Sequence, residues 1–289
     1  MYYVDLALSG LTFGCMYAVM AVGLTLIYGL LRILHIAHAA VFALGAYAMV
    51  VVANLSGSLL VGFLGAIIVA PIVGMAIYRL LYEPLLKYRP DVPMIASLGL
   101  LVFMQDGFRL VFGEQGVTLR DNKLAAISYE IAGLSVNGVQ IAIFVVTAVA
   151  FLALHIFTTR TRIGIGWRAT VSNPRIAASF GIDPIKVRYL NFAIGSALAA
   201  VAGGLVAMPD NFVDPATGFV VSYKALAIIV LGGLGSVRGT LIAALVLGLV
   251  ESYGVIFLGS WLNRDAIAFL ALVLVLMVRP QGFTGLRTA

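Results

Sequence analysis

Residues Leu6–Leu30 read LALSGLTFGCMYAVMAVGLTLIYGL and carry no charged side chain. A run this apolar exceeds the roughly 20 residues that a helix needs to cross a bilayer core. Backbone groups in lipid have no water to bond, so such a run must be helical. Further apolar runs follow at residues 37–54, 59–80, 94–112, 139–158, 189–208, 220–231, 239–258 and 266–278. The 289-residue chain is 62% hydrophobic and 10% charged, with a mean hydropathy of +1.10. Its length would suit one or two soluble domains, but this composition argues against them. The expected fold is all-α: a polytopic transmembrane helical bundle of about eight or nine spans, with broken helices and a short cytoplasmic helix. One domain, 1–289, is expected, in two related halves at 1–138 and 139–289.

The formal charge is +6, and its placement says more than its sum. Basic residues gather at Arg79, Lys87 and Arg89, from Arg160 to Arg188, and at Arg279 and Arg287. Cytoplasmic loops carry the excess of Lys and Arg, so these segments are expected inside the cell. Asp5 precedes the first run with no basic residue before it. The N-terminus is therefore expected outside, the C-terminus in the cytoplasm, and the first helix is an uncleaved anchor in the plasma (inner) membrane. The charges flank membrane helices, which argues against a nucleic-acid partner. Cys15 is the single cysteine, which excludes an internal disulfide and a Cys-based metal cage.

Two apolar stretches are interrupted without a proper loop. One is YGLLRILHIAHAAVFALGAY, Tyr28–Tyr47; the other is VLGGLGSVRGTLIAALVLG, Val230–Gly248. They fall in different halves of the chain, and broken helices at corresponding positions point to a transporter's solute path. Packing of small residues between membrane helices is the competing reading. The path candidates are His35, His38, Gly232, Gly233, Gly235, Ser236 and Glu251. His35 and His38, three apart, can share a helix face, but no third ligand lies nearby for a metal. Glu251 has no basic residue within a helical turn, so it should face the protein interior and either meet a charge from elsewhere or stay protonated by desolvation. Asp106 and Arg109 are also three apart and read as an ion pair near a helix end.

The stretch GWRATVSNPRIAASFGIDP, Gly166–Pro184, looks like a piece of a soluble protein. Asn173 can cap a helix, Pro174 suits its first position, and Gly181 can end it in the left-handed conformation. Asp183 and Pro184 repeat the start signal. The helix between is too short to span and marginal alone in water. It exposes Arg168 and Arg175, and Trp167 is expected to offer a large apolar surface beside it. A partner-docking helix within a cytoplasmic segment, 159–188, is the reading preferred over a solvated basic turn.

The run GIGWRATVSNPRIAASFGIDPIKVRYLNFAIGSALAAVAGG, Gly164–Gly204, resembles the ABC-type permeases of branched-chain amino-acid uptake systems. So do GLTLIYGLLRILHIAHAAVFALGAY, YEPLLKYRPDVPMIASLGLLVFMQDGFRLVFG, LGGLGSVRGTLIAALVLGLVES and VRPQGFTG, and similar matches cover nearly the whole chain. The resemblance implies a coupling segment that docks in a groove of a separate ATPase subunit, with Trp167, Arg168, Asn173, Pro174, Arg175, Ala177, Ala178 and Gly181 in that role. It implies a pore of two related permeases (a heterodimer or a homodimer), two ATPases holding ATP-Mg, and an extracytoplasmic solute-binding protein. It implies no cofactor on this chain, and branched-chain amino acids, other amino acids, amides or urea as solutes. The family often has an N-F-A-H-G pattern in the first broken helix. This chain has HIAHAA, so His35 and Ala39 stand where Asn and Gly would.

None of Lys87, Lys123, Lys186 and Lys224 follows a glycine, so the chain has no phosphate-cradling G-x-x-x-x-G-K-[ST] loop. It also lacks the H-E-x-x-H and G-x-S-x-G motifs of hydrolases. A transport subunit is expected, not an enzyme. The alternatives are an ion-coupled secondary transporter, with Glu251 as its carboxylate, and a membrane enzyme, for which His35 and His38 alone fall short.

Overall fold

The computed structural model describes residues 2–131, 134–259 and 261–278. The expected basic tail with Arg279 and Arg287 lies outside the described residues. The order is α1 (Tyr2–Leu31), α2 (His38–Ser56), α3 (Leu59–Ile77), a π-helical turn over Tyr78–Tyr82, α4 (Glu83–Leu85), α5 (Asp91–Phe112), α6 (Gly138–Arg160), α7 (Arg162–Ser172), α8 (Pro174–Ser179), α9 (Pro184–Asp210), α10 (Thr217–Gly232), α11 (Val237–Leu258) and α12 (Arg264–Val278).

Among the described residues, seven helical stretches are long and apolar enough to cross a membrane, and α10 is a shorter apolar helix. With α12 these account for every apolar run in the sequence. The shape is the expected polytopic helical bundle. It departs from pure helix at two small ribbons. Val117–Thr118 (β1) pairs antiparallel with Phe212–Val213 (β4). Ser128–Ile131 (β2) pairs with Leu134–Asn137 (β3). The sequence reads both regions as loop; the β1–β4 pairing spans too much chain to leave a local signal, and the β2–β3 hairpin is only four residues a side.

Centre and rim follow from residue size. The most apolar windows of α1 and α9 are 78% and 72% buried, against 11% for α6. Without a hydrophobic force between helices in lipid, close packing of small residues holds them together. Antiparallel α1 and α11 illustrate this. A Cβ on Gly10 would lie 2.9 Å from Leu249 Cα, and Gly248 rests on Gly10 and Gly14. An aromatic layer of Tyr78, Tyr82 and Phe192 sits beside them, with ring centroids 5.1–5.2 Å apart.

The bundle has two distinct ends. At one, Asn54 donates to the Thr118 carbonyl at 2.8 Å, Asn122 donates to Asn211 Oδ1 at 2.7 Å, and Tyr253 donates to the Tyr3 carbonyl at 2.8 Å. At the other, Tyr189 donates to Glu83 Oε2 at 2.7 Å, and α7 and α8 pack against α9. The clusters Arg79–Arg89 and Arg160–Arg188 fall at this second end.

Candidate functional site

Both interruptions read from the sequence are real breaks, and they meet. Helix α1 ends at Leu31, and Arg32 takes a left-handed φ of 58°. The chain then turns before α2 starts at His38. Helix α10 ends at Gly232, and Gly233 and Gly235 take φ of 93° and 85°, which side chains with a Cβ adopt at a cost. Ser236 then caps α11, accepting from Gly239 N at 3.2 Å. A Cβ on Gly235 would lie 3.7 Å from Gly29 Cα, so the second break touches the helix end that leads into the first.

His35 and His38 are each 1% exposed, with ring centroids 5.9 Å apart. His35 Nδ1 is 2.7 Å from Tyr82 Oη, at the π-helical turn. His38 Nε2 donates to the Met20 carbonyl at 3.2 Å. His35 Nε2 and His38 Nδ1 have no partner among the described residues. Between the pair and Ser222 of α10 lies a cavity of about 10 Å³. That holds roughly one water and no amino acid, so the bundle is closed at this level. Among the described residues no group of His, Cys, Asp or Glu could complete a metal site here.

Glu251 faces the interior, fully buried, and its partner is Lys224 of α10. Lys224 Nζ lies 3.1 Å from Glu251 Oε1 and 2.9 Å from Asp265 Oδ1 of α12. It donates to Tyr17 Oη at 2.9 Å, and Tyr17 donates to Glu251 Oε2 at 2.9 Å. The cluster joins α1, α10, α11 and α12. Sequence reasoning missed Lys224, Tyr17 and Asp265. The available signal was that Lys224 is a lysine inside an apolar run, which demands a buried acid. Asp106 and Arg109 form the expected pair, at 3.1 Å near the end of α5.

The basic segment folds into two helices rather than one. Thr161 caps α7, accepting from Gly164 N at 2.9 Å. Asn173 caps α8, accepting from Arg175 N and Ile176 N, both at 3.1 Å. Pro174 is its first residue, Gly181 follows with φ 80°, and Asp183 caps α9. Arg168, Arg175 and Ala178 are exposed, while Ala177 is buried. Trp167 corrects the expectation. It is turned inward, 9% exposed, and its indole Nε1 donates to Asn191 Oδ1 at 2.9 Å. Asn191 in turn donates to the Leu26 carbonyl of α1 at 3.1 Å. A buried indole needs an acceptor, and Asn191 supplies it. The outward apolar groups are instead Ile176 and Phe180, 56% and 82% exposed.

The family model for the "branched-chain amino acid transport system / permease component" matches residues 6–278. The chain belongs to this permease family. It is 34% identical to the high-affinity branched-chain amino acid transport system permease protein LivH of Escherichia coli (strain K12), over 99% of this chain and 96% of the relative. Identity to the corresponding permease protein BraD of Pseudomonas aeruginosa is also 34%, over 98% and 96%. The permease protein LivM of Escherichia coli is 26% identical over 94% of this chain and 68% of that protein. A solved structure, PsaBC from Streptococcus pneumoniae in complex with Fab, overlays with a TM-score of 0.49 at 13% identity, covering 96% of this chain and 91% of that one; this likeness is too remote to inform function.

Membership makes the chain a multi-pass membrane transport component rather than an enzyme. In this permease the histidine pair meets α1 at Met20 and the second break meets it at Gly29. Glu251 belongs to the four-helix charge cluster, whose Tyr17 and Lys224 lie on α1 and α10.

Proposed function

We propose that this permease is one membrane subunit of an ABC importer, forming part of the path for a branched-chain amino acid or a related small polar solute. The names of the LivH and BraD relatives support the solute class. The LivM match supports pairing with a second, related permease. Two ATPases holding ATP-Mg and an external binding protein complete the assembly. The basic end faces the cytoplasm, as the positive-inside rule requires. Binding-protein and ATPase docking then shift the bundle between states by their differential affinity for each. The solute passes between α1, α2 and α10, where the two breaks and His35 and His38 gather.

One observation carries the coupling role: a capped helix, α8, presents Arg175, Ile176 and Phe180 to solvent, while Trp167 on the adjoining α7 is linked through Asn191 of α9 to α1. A push on α8 thus reaches the helix that ends at the first break. The test is co-purification and uptake. The ATPase should be recovered with the intact chain and lost with the R168E/R175E double variant, with ATP-dependent uptake lost in parallel. Recovery and uptake unchanged in that variant would count against docking at α8. The Lys224–Glu251 pair favours a second reading, an ion-coupled secondary transporter. Uptake in ATP-depleted vesicles holding only an ion gradient would select it.

A further inference from the structure

We propose that the groove between α6, α7 and α11 is a binding site for an anionic phospholipid, with Arg168 and Arg238 holding the phosphate headgroup and the apolar walls taking an acyl chain. The groove has a volume of about 510 Å³, with Leu26, Leu154 and Leu241 among its apolar walls and Arg168, Arg238 and His155 among its polar lining. Helix α6 is peripheral, with only 11% of its apolar window buried; it packs on α1, and the slot opens between it and α11.

Charge decides the occupant. Among the described residues, no carboxylate lines the groove. Arg168, on α7, and Arg238, at the second position of α11, are both exposed. Neither forms an ion pair among the described residues. Two arginines lining one groove with apolar walls match a group that carries negative charge at one end and hydrocarbon at the other. Basic pockets between membrane helices recruit anionic headgroups for this reason. Arginine suits the task because its planar donors take phosphate oxygens in pairs. Arg168 also lies next to Trp167, so a bound headgroup would brace the joint between α7 and α1.

Trp167 lines the groove and reports on it directly. The chain holds two tryptophans, so the full-length W261F protein leaves Trp167 as the sole tryptophan, excited selectively at the red edge where the tyrosines do not absorb. Reconstituted in phosphatidylcholine nanodiscs, Trp167 should be quenched by phosphatidylglycerol with brominated acyl chains at much lower mole fraction than by brominated phosphatidylcholine. Each arginine near a headgroup contributes enough that both together give a preference of about thirtyfold. The R168Q/R238Q double variant should lose most of it, and high salt should collapse it in the unaltered groove. The salt and headgroup comparisons need no arginine variant, so they decide the matter even if the double variant misfolds. Equal quenching by both lipids would overturn the proposal. So would a preference that survives the double variant, displacement of the lipid by inorganic phosphate, or loss of quenching once the second permease is assembled, which would make the groove a subunit interface.

Discussion

Lys224 sits 4% exposed in an apolar helix, between Glu251 and Asp265. Removing one partner of a buried ion pair strands the other charge, which costs about 3–5 kcal/mol. Lys224→Met strands Glu251 and should fall in that range. Glu251→Gln should cost less, about 1–2 kcal/mol, because Asp265 still meets Lys224 and the amide still accepts from Tyr17. Adding Glu251→Leu to Lys224→Met should recover part of the loss, since the stranded acid is gone. Thermal unfolding in detergent micelles reads all three. Equal, small effects of the two single variants would show that the cluster does not fasten these helices. The chemistry of Glu251 was half legible. A lone acid in LVLGLVESYGVIF has to turn inward and find a cation. Which cation answers it depends on how α10 folds back along α11, and no local pattern encodes that. Trp167 failed for a similar reason: its acceptor, Asn191, lies on another helix.

Elements were legible where their signals were local. Asn173, Pro174, Gly181 and Asp183 each do in the structure what their side chains or backbones favour, so α8 could be read from the sequence. Helix α7 could not, because in GIGWRATVS two glycines and the β-branched Ile165, Thr170 and Val171 outweigh Arg168 and Ala169, and the helix depends on Trp167 for its anchor. The π-helical turn at Tyr78–Tyr82 and the β1–β4 ribbon depend likewise on distant partners. A six-residue helix cannot stand without its cap. Asn173→Ala should cost about 1 kcal/mol locally. Amide exchange across residues 174–179 should then rise about fivefold, with the global melt nearly unchanged. Unaltered exchange would mean that tertiary packing alone holds α8. At the second break the strain is in the backbone. Gly235 has φ 85° and ordinary clearance from Gly29. Gly235→Ala should therefore cost about 1–2 kcal/mol, and Gly235→Asn less, because Asn tolerates left-handed φ. Comparing the two melts separates a conformational demand from a packing one, for which the larger Asn would be the worse.

For the whole molecule, the apolar runs predicted the helices well and their number roughly. The uncertain piece was α10, whose 16 residues begin inside the bundle. Gly218 packs against Ala39 and Ala43 of α2, so this helix does not start at a membrane surface, and hydropathy cannot show that. Orientation rests on charge alone and can be tested cleanly, because Cys15 is the single cysteine. In a Cys15→Ala background, Ser56→Cys places a thiol at the end that carries the β1–β4 ribbon, and Ser179→Cys places one on α8; both positions are exposed. An impermeant maleimide should label the first in intact cells and the second only after the membrane is opened. The asymmetry follows from the cost of moving Arg160, Arg162, Arg168 and Arg175 across the bilayer, where a single arginine at the centre already costs about 2.5–3.5 kcal/mol. Labelling of both thiols from outside would place the two ends on one side and contradict an odd number of crossings between them. Labelling of α8 alone from outside would invert the bundle and remove any cytoplasmic ATPase from its reach.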